Sequence, residues 1–292
     1  MTAVSAGALS ERCRFPLPGT ALRCAVSGGP DSTALLVLAV SSGCRVTAVH
    51  VDHGLRAGSA READVVADSA ARLGARFENV RAVVEPGPNL EARARRARMA
   101  VLGAEAATGH TMDDQAETVI LNLLRGAGVD GLAAMRGGAR HPLLGLRRAE
   151  THALCEQLGL RVVHDPSNDD RRFLRNRVRH ELLPLCNAIS GRDLVPVLAR
   201  QAELMAEEAK LLDELAAGLD PTDARALASA PPSLARRATR RWLRGLGGHP
   251  PDFAAVERVL AVAAGRGRAT DLAPSLRVRR SQGRLSAEPA VS

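Results

Sequence analysis

A cluster of small and hydroxyl-bearing residues near the N-terminus could hold a phosphate chain. It reads Ser-Gly-Gly-Pro-Asp-Ser-Thr from Ser27 to Thr33 and directly follows the apolar stretch Ala21–Val26. Its glycines let backbone N–H groups approach a ligand closely, and a helix beginning near Asp31 would point its positive dipole end at the same place. The common ATP-binding loop needs a lysine here, but Lys210 is the only lysine of the chain. The pattern favours oligophosphate binding, although a glycine-capped helix start in any α/β protein would look alike.

The segments around this loop predict the element order that would position it. Apolar stretches over Ala21–Val26 and Arg45–Val51 flank a helix that ends near Ser41. A strand, a helix and a strand at this spacing form a βαβ unit, which implies a parallel sheet and an α/β fold. Ligands of such sheets bind at the carboxyl ends of the strands. The loop lies at one such end and the polar run Asp52–Arg56 lies at the next, so the two should share one site.

A third polar run, Gly109–Thr118, follows the alanine-rich residues Ala106–Thr108, which should form another strand although alanine is a weak strand former. Asp114 and Glu117 are three residues apart, so they share one face of the predicted helix. Two carboxylates on one face could hold a metal ion or a cationic substrate. The alternative is that each is a favourable charge near a helix N-terminus.

Arginines cluster in two places. The first cluster lies on a predicted helix and comprises Arg93, Arg95, Arg96 and Arg98. The second runs from Arg171 to Arg179 and has Phe173 as its nearby aromatic residue. Guanidinium groups suit phosphate contacts and base stacking, so both clusters are candidates for an RNA-facing surface. The alternatives are solvated helix faces, with Asp165, Asp169 and Asp170 balancing the second cluster.

Composition narrows the class of protein. The chain has 292 residues, a net charge of +8 and only 2% aromatic residues, with no tyrosine, so its core should consist of Ala, Leu and Val. The basic balance favours a polyanionic partner such as nucleic acid, unless it reflects a general bias towards arginine. Five scattered cysteines without a Cys-x-x-Cys pair argue against disulfides, zinc and an iron–sulfur cluster. Without a signal pattern or an apolar run of spanning length, we expect a soluble, cytoplasmic protein with no membrane association.

The order of the predicted elements divides the chain into three parts. Residues 1–190 should form the catalytic domain and residues 191–220 a connecting helix. Residues 221–292 should form a smaller, mainly helical domain that ends in a hairpin over Leu276–Leu285, with Trp242 anchoring its core.

Several sequence blocks together resemble one known family. Ser27–Ser32 resembles the pyrophosphate loop of N-type ATP pyrophosphatases, the adenine nucleotide alpha hydrolase-like enzymes. Together with Val51–Arg56, Gly109–Thr118 and the stretch from Asp165 to Pro184, it is similar to the tRNA(Ile)-lysidine synthase family. The blocks occur in family order over about residues 20–188, and the full set is far more specific than any one loop.

The resemblance implies a reaction. ATP would activate C2 of the wobble cytidine in the CAU anticodon of an isoleucine tRNA, forming an adenylated intermediate and releasing pyrophosphate. The ε-amine of L-lysine would then displace AMP and give lysidine. The family also implies ATP with Mg²⁺ as cofactors and suggests a homodimer.

The resemblance also assigns roles to individual residues. ATP would contact Ser27, Gly28, Gly29, Asp31, Ser32, His50, Asp52 and His53, with Asp31 also holding Mg²⁺. Asp31, His110 and Asp114 would be catalytic, and Asp114 with Glu117 would bind the substrate lysine. The tRNA would contact Arg93, Arg96, Arg175 and Arg179.

The chain departs from the family pattern at three points. Met99 stands where a tyrosine is usual, His141 stands where Arg or Lys usually precedes Pro-Leu-Leu, and the segment Met99–Gly109 is about one helical turn shorter. Competing interpretations are a tRNA thiolase, a GMP or NAD synthetase, and a non-catalytic RNA-binding protein. The thiolase needs paired cysteines, the synthetases leave the Asp165–Arg179 block unexplained, and the intact loop hydroxyls and acidic residues argue against a decayed site.

Overall fold

The structure is a computed structural model, and it describes residues 5–52, 59–83, 90–164, 170–247, 251–272 and 276–289. In chain order the elements are α1 (Ala6–Ser10), β1 (Ala21–Ala25), α2 (Pro30–Ser41), β2 (Arg45–Asp52), α3 (Ser59–Arg72), β3 (Arg76–Arg81), α4 (Leu90–Leu102), β4 (Ala107–Thr108), α5 (Met112–Leu124), α6 (Val129–Leu132), α7 (Arg148–Gln157), α8 (Leu174–Arg177), α9 (Leu183–Ser190), α10 (Val195–Ala217), α11 (Ala224–Ser229), α12 (Pro232–Gly245), α13 (Phe253–Ala263), β5 (Ala269–Leu272), β6 (Leu276–Ser281) and β7 (Arg284–Pro289). A π-helical turn over Val178–Leu182 joins α8 to α9. Pro184 lies in the first turn of α9, directly after this π-helical turn.

The N-terminal part of the chain is built on a parallel sheet with strand order β3-β2-β1-β4. β1 pairs in register with β2, Ala21 opposite Arg45, and the ladder continues from β2 to β3. The predicted parallel sheet and α/β fold are therefore confirmed. Since the strands run in one direction, β1, β2 and β4 present their carboxyl ends at the same edge.

The core beside this sheet consists of small and aliphatic side chains, as the low aromatic content predicts. α2 lies at its centre, and Leu35, Leu36 and Leu38 are completely buried there. α2 also packs against α7, and Leu154 of α7 is 1% exposed. This packing fixes the start of α7 beside the start of α2.

The shortest strand, β4, is the predicted alanine-rich one, and it pairs over only two positions, Cys24 with Ala107 and Ala25 with Thr108. It nevertheless brings Gly109 against the backbone of α2. A Cβ atom on Gly109 would lie 2.6 Å from the carbonyl oxygen of Asp31 and 2.9 Å from the backbone nitrogen of Ser32. Only glycine allows these two backbone segments to come so close.

The chain divides into two compact units between Ala206 and Glu207, within α10. The C-terminal unit contains α11–α13 and an antiparallel sheet of order β5-β6-β7. β6 and β7 form the predicted terminal hairpin, whereas sequence reasoning missed β5. Trp242 packs only partly buried against the core, whose centre is formed by residues such as Ala238 and Val259. The domain boundaries placed at residues 190 and 220 stay predictions.

Among the described residues, no single helix is both long and apolar enough to cross a bilayer. The segments Leu174–Ser190 and Val195–Ala217 meet the criteria of length and composition only when taken together, with a bend of 98° between them.

We expect Gly109→Ala to lower the free energy of unfolding by about 1–3 kcal/mol, because the added methyl group meets backbone atoms that cannot rotate away. Urea denaturation of the purified protein measures this. The matched control is Gly128→Ala, since Gly128 has an ordinary φ of −82° and a Cβ there meets nothing within 4 Å. Equal losses for the two variants would contradict the close approach at Gly109.

Candidate active site

The glycine-rich loop between β1 and α2 is closed by its own serines. The hydroxyl of Ser32 donates to the carbonyl of Gly29 at 2.9 Å and accepts from the backbone N–H of Ser27 at 3.1 Å. The two hydroxyls of Ser27 and Ser32 lie 3.2 Å apart. The first α-helical bond of α2 runs from the Thr33 N–H to Gly29, so the N–H groups of Asp31 and Ser32 precede it. This is the arrangement in which a helix N-terminus binds an anion.

A contact between Gly28 and Val163 supports the loop. Gly28 has a φ of +86°, which a residue with a side chain rarely adopts. Its carbonyl accepts the N–H of Val163 at 2.9 Å, and a Cβ on Gly28 would lie 2.9 Å from a methyl group of Val163. The loop conformation therefore depends on a residue 135 positions away, for which the sequence offered no signal.

The carboxylate of Asp31 lies in the first turn of α2 and faces the start of α7. The hydroxyl of Thr151 donates to Oδ1 of Asp31. Nε of Arg148 lies 3.5 Å from Oδ2, and Nε2 of His152 lies 3.9 Å from Oδ1. Burial raises the pKa of Asp31 and the nearby charge of Asp114 adds to this, while Thr151 and Arg148 oppose it.

Asp114 and Glu117 share one face of α5, as predicted. One oxygen of Asp114 accepts from both the backbone N–H and the hydroxyl of Thr111, at 2.8 and 2.9 Å. Asp114 thus stabilises the start of α5, and its binding role stays a prediction. Its other oxygen accepts from Arg148 and Arg175, each at 2.9 Å. Burial raises the pKa of Asp114, but the charges of Arg148, Arg175 and His110 and the hydrogen bond from Thr111 together lower it to about 2.

Glu117 is the most deeply buried acidic group of the site, with only 1% of its side chain exposed. Its carboxylate accepts from Arg148 at 3.1 Å, from Arg175 at 2.8 Å and from Arg179 at 2.9 Å. The sequence assigned Arg175 and Arg179 to RNA, whereas the structure places both guanidinium groups on the acidic pair. Their RNA contacts stay predictions.

Arg148 joins the acidic pair, Asp114 and Glu117, to the glycine-rich loop Ser27–Ser32, hereafter the phosphate loop. Its guanidinium group contacts Glu117, Asp114 and Asp31 at once. The start of α7 is held by Asp113, whose Oδ2 accepts the backbone N–H of Arg148 at 2.8 Å and Nε of Arg147 at 3.1 Å. The sequence therefore identified the carboxylates correctly as neighbours but missed the arginine between them.

The predicted adenosine contacts lie on and after β2. His50 is 2% exposed, and its Nδ1 lies 3.0 Å from the carbonyl oxygen of Val26. This contact links the end of β1 to β2. Asp52 is half-buried at the end of β2, and His53 lies outside the described residues. Their nucleotide contacts stay predictions.

His110 lies just before α5 and contacts His141, one of the positions at which the chain departs from the family pattern. Nδ1 of His110 and Nδ1 of His141 lie 2.7 and 2.8 Å from the hydroxyl oxygen of Thr108. The two rings meet edge to face with centroids 5.2 Å apart. His110 also contributes to the low pKa of Asp114. Its catalytic role stays a prediction.

The remaining predicted RNA contacts lie on α4, which ends at Leu102 before the short segment leading to β4. Arg96 is exposed and Arg93 is half-buried. Their assignment to tRNA stays a prediction. Among the described residues, no group of three or more His, Cys, Asp or Glu side chains is placed to hold a metal ion. A cation here would therefore need further oxygen ligands, such as those of a bound phosphate chain.

Comparison with known proteins places this site in a family. A PP-loop domain family matches residues 9–186, and a TilS substrate binding domain family matches residues 223–286. The chain is 44% identical over 253 residues to a tRNA(Ile)-lysidine synthase of Nocardia farcinica, covering 80% of each chain. The chain belongs to the tRNA(Ile)-lysidine synthase family. The resemblance found in the sequence is thereby confirmed.

A further relative agrees with this assignment, and a solved structure has a similar fold. A tRNA(Ile)-lysidine synthase of Rhodococcus opacus is 39% identical over 287 residues, which cover 90% of this chain and 88% of that one. The U34-tRNA thiolase NcsA from Methanococcus maripaludis has a similar fold, with a TM-score of 0.53, 16% identity and coverage of 70% of this chain and 78% of that one. This last likeness concerns the fold alone.

Three site residues of this family member were missed from the sequence, namely Arg148, Thr151 and His152. They occupy the first two turns of α7, at spacings of three and four residues, which place side chains on one helix face. That spacing was the available signal. It was overlooked because α7 carries no glycine turn and no recognised motif.

We expect Arg148→Met to lower the free energy of unfolding by about 3–5 kcal/mol, because Asp31, Asp114 and Glu117 would lose a shared buried cation. Urea denaturation at pH 7 measures the loss. The control is Arg172→Met, which removes an arginine that is 87% exposed and pairs with Asp170. We expect no measurable change in the control. A similar result for both variants would show that Arg148 does not hold the acidic groups together.

Proposed function

We propose that this chain uses ATP to join L-lysine to C2 of the wobble cytidine in the CAU anticodon of an isoleucine tRNA, through an adenylated cytidine. The observation that carries the proposal is the contact of one guanidinium group, that of Arg148, with the carboxylates of Asp31, Asp114 and Glu117. It brings a phosphate-binding helix start and a pair of buried carboxylates into one site. A reaction between a nucleotide and a cationic amino acid needs these two features side by side.

The loop Ser27–Ser32 would receive the phosphate chain of ATP. The N–H groups at the start of α2 point to where the leaving pyrophosphate would lie, and their dipole stabilises its negative charge. Asp31 fits Mg²⁺ because the one polar contact of its Oδ2 within the described part of the chain is that with Nε of Arg148 at 3.5 Å. Burial raises the pKa of Asp31, so a bound cation would stabilise its charged form. Mg²⁺ in such sites is usually held by one or two carboxylates and by substrate phosphates, whose charge it offsets.

Asp114 and Glu117 would bind the ε-ammonium group of lysine. A carboxylate offers about four acceptor positions, and Glu117 uses three of them on arginines. An incoming ammonium group must therefore share or displace a guanidinium group. Arg175 is the candidate, because its side chain is 36% exposed whereas that of Arg148 is 18% exposed. The released Arg175 would remain close enough to face the carboxylate of the same lysine or an RNA phosphate.

The tRNA would lie over the basic residues of the first unit, which include Arg96, Arg175 and Arg179. The net charge of +8 supports an anionic partner of this size. The family also implies assembly as a homodimer and a cytoplasmic location. Both belong to this proposal, and the solution mass of the purified chain tests the first.

The cysteines favour ligation over sulfur transfer. Burial raises the pKa of Cys13, Cys24 and Cys155 to about 12. Sulfur-transferring and cluster-binding cysteines act as thiolates, which need a lowered pKa. The thiol of Cys155 moreover donates to the carbonyl of Pro30 at 3.4 Å, which is a structural role at the start of α2.

Purified protein with ATP, Mg²⁺, radiolabelled lysine and unmodified tRNA(Ile) carrying a CAU anticodon should incorporate label into the tRNA. The control is the same tRNA with a uridine at the wobble position, which has no cytidine to modify. Hydrolysis of ATP without incorporation of lysine would overturn the proposal.

We expect Glu117→Gln to raise the KM for lysine at least tenfold while changing the KM for ATP less than threefold, because it removes charge from the acidic pair alone. Steady-state kinetics of lysine incorporation measure both constants. The matched control is Glu181→Gln, since Glu181 pairs only with Arg171 and Arg177 among its described ion pairs. Equal increases for both substrates would refute the assignment of Glu117 to lysine.

A further inference from the structure

The second turn of α7 presents a buried hydroxyl group to the phosphate loop. Thr151 is completely buried, and its hydroxyl contacts Oδ1 of Asp31 and, at 2.8 Å, the backbone carbonyl of Arg148. Thr151 lies outside the motifs of the sequence and has no role implied by the family resemblance. A buried threonine can also be a core residue without a functional role. Thr239 of the C-terminal unit is an example, because its buried hydroxyl has no hydrogen-bond partner among the described residues.

The chemistry of the hydroxyl decides which acceptor matters. A threonine hydroxyl has one proton, so it donates to one acceptor at a time. Hydrogen bonds to an ionised carboxylate are roughly twice as strong as those to a neutral carbonyl. The proton of Thr151 therefore belongs to Asp31 whenever that carboxylate is ionised, and Oδ1 is the oxygen that it occupies.

The element that carries Thr151 is itself firmly placed. α7 packs along α2, its first residue is bonded to Asp113, and the thiol of Cys155 donates to the carbonyl of Pro30 at the start of α2. The hydroxyl of Thr151 thus has a fixed position relative to the loop. Because Asp31 is bound at Oδ1, rotation of its carboxylate is restricted and Oδ2 keeps one direction.

The other oxygen is the one left for a ligand. Oδ2 of Asp31 has Nε of Arg148 at 3.5 Å, and that Nε is buried without a hydrogen-bond partner among the described residues. A weakly satisfied carboxylate oxygen and an unsatisfied guanidinium N–H therefore lie side by side next to the phosphate loop. A metal ion and a phosphate oxygen of one metal–nucleotide complex would satisfy both groups.

We propose that Thr151 is a positioning residue that holds the carboxylate of Asp31 so that Oδ2 faces the cation bound to the nucleotide. The proposal rests on the proposed function and adds to it a residue that touches neither nucleotide nor lysine. Its removal should weaken the metal-dependent part of ATP binding and leave the metal-free part unchanged.

The test compares Thr151→Val, Thr151→Ser and the matched control Thr239→Val. Equilibrium titration with ATP is performed in excess Mg²⁺ and again in EDTA, with urea denaturation to compare stability. We expect Thr151→Val to weaken ATP binding about tenfold in Mg²⁺ and less than twofold in EDTA. Thr151→Ser keeps the hydroxyl and should restore binding to within about threefold of the original chain. Thr239→Val should bind ATP unchanged in both conditions.

Two results would overturn the proposal. One is an equal loss of affinity for Thr151→Val in Mg²⁺ and in EDTA, which would show a merely structural role. The other is failure of Thr151→Ser to restore binding in Mg²⁺ although its stability matches that of the original chain. Failure of the proposed function would give a different result. The original chain would then bind ATP in a metal-dependent way but would not incorporate lysine into tRNA.

Discussion

The site depends on one buried cation shared by three carboxylates. Asp31, Asp114 and Glu117 come from two different helices, and all three are mostly removed from water. Uncompensated carboxylates in such a place would take up protons or force the helices apart. The guanidinium group of Arg148 prevents both, because its planar array of donors can serve several oxygens at once. The phosphate loop and the acidic pair are adjacent for this reason.

The second constraint is the close approach of backbone segments, which glycine residues permit because they have no side chain. Gly109 lets the chain after β4 touch the first turn of α2, and Gly28 lets the loop rest on Val163. Each added side-chain atom would displace α2 from α5 or from the segment before α8. Asp114, the first residue of the acidic pair, lies five residues after Gly109, so a displacement of Gly109 would change the distance between Asp31 and Asp114. The glycines thus serve the electrostatic network as well as the phosphate chain.

Much of this arrangement could be predicted from the sequence. Hydrophobic patterning and glycine turns predicted β1, α2 and β2 nearly to the residue, and the rule that ligands bind at carboxyl ends of parallel strands placed the glycine-rich loop beside the end of β2. Asp31 and Asp114 were assigned to one site by the family resemblance. Ion pairing could not be predicted, because the spacing of Arg175 and Arg179 along the chain contains no information on their partners 58 to 62 residues away. Arg148 and Thr151 were missed because α7 carries no glycine turn and no recognised motif, although their spacing of three residues places them on one helix face. β5 was missed because its four residues, Ala-Thr-Asp-Leu, show little strand pattern.

The excess of arginine around Glu117 changes how recognition of a cationic substrate should be understood. An acidic pair without partners would be buried at a high cost in the free protein, and it would gain a proton rather than wait for a ligand. Here Glu117 accepts hydrogen bonds from three guanidinium groups, and the charges of two of them, those of Arg148 and Arg175, help to hold the pKa of Asp114 at about 2. In the proposed function, an ammonium group would therefore exchange with a cation rather than add to a vacant pair. Such an exchange keeps the net charge of the site nearly constant, so that discrimination depends on how well the ammonium group fits the geometry that Arg148 maintains.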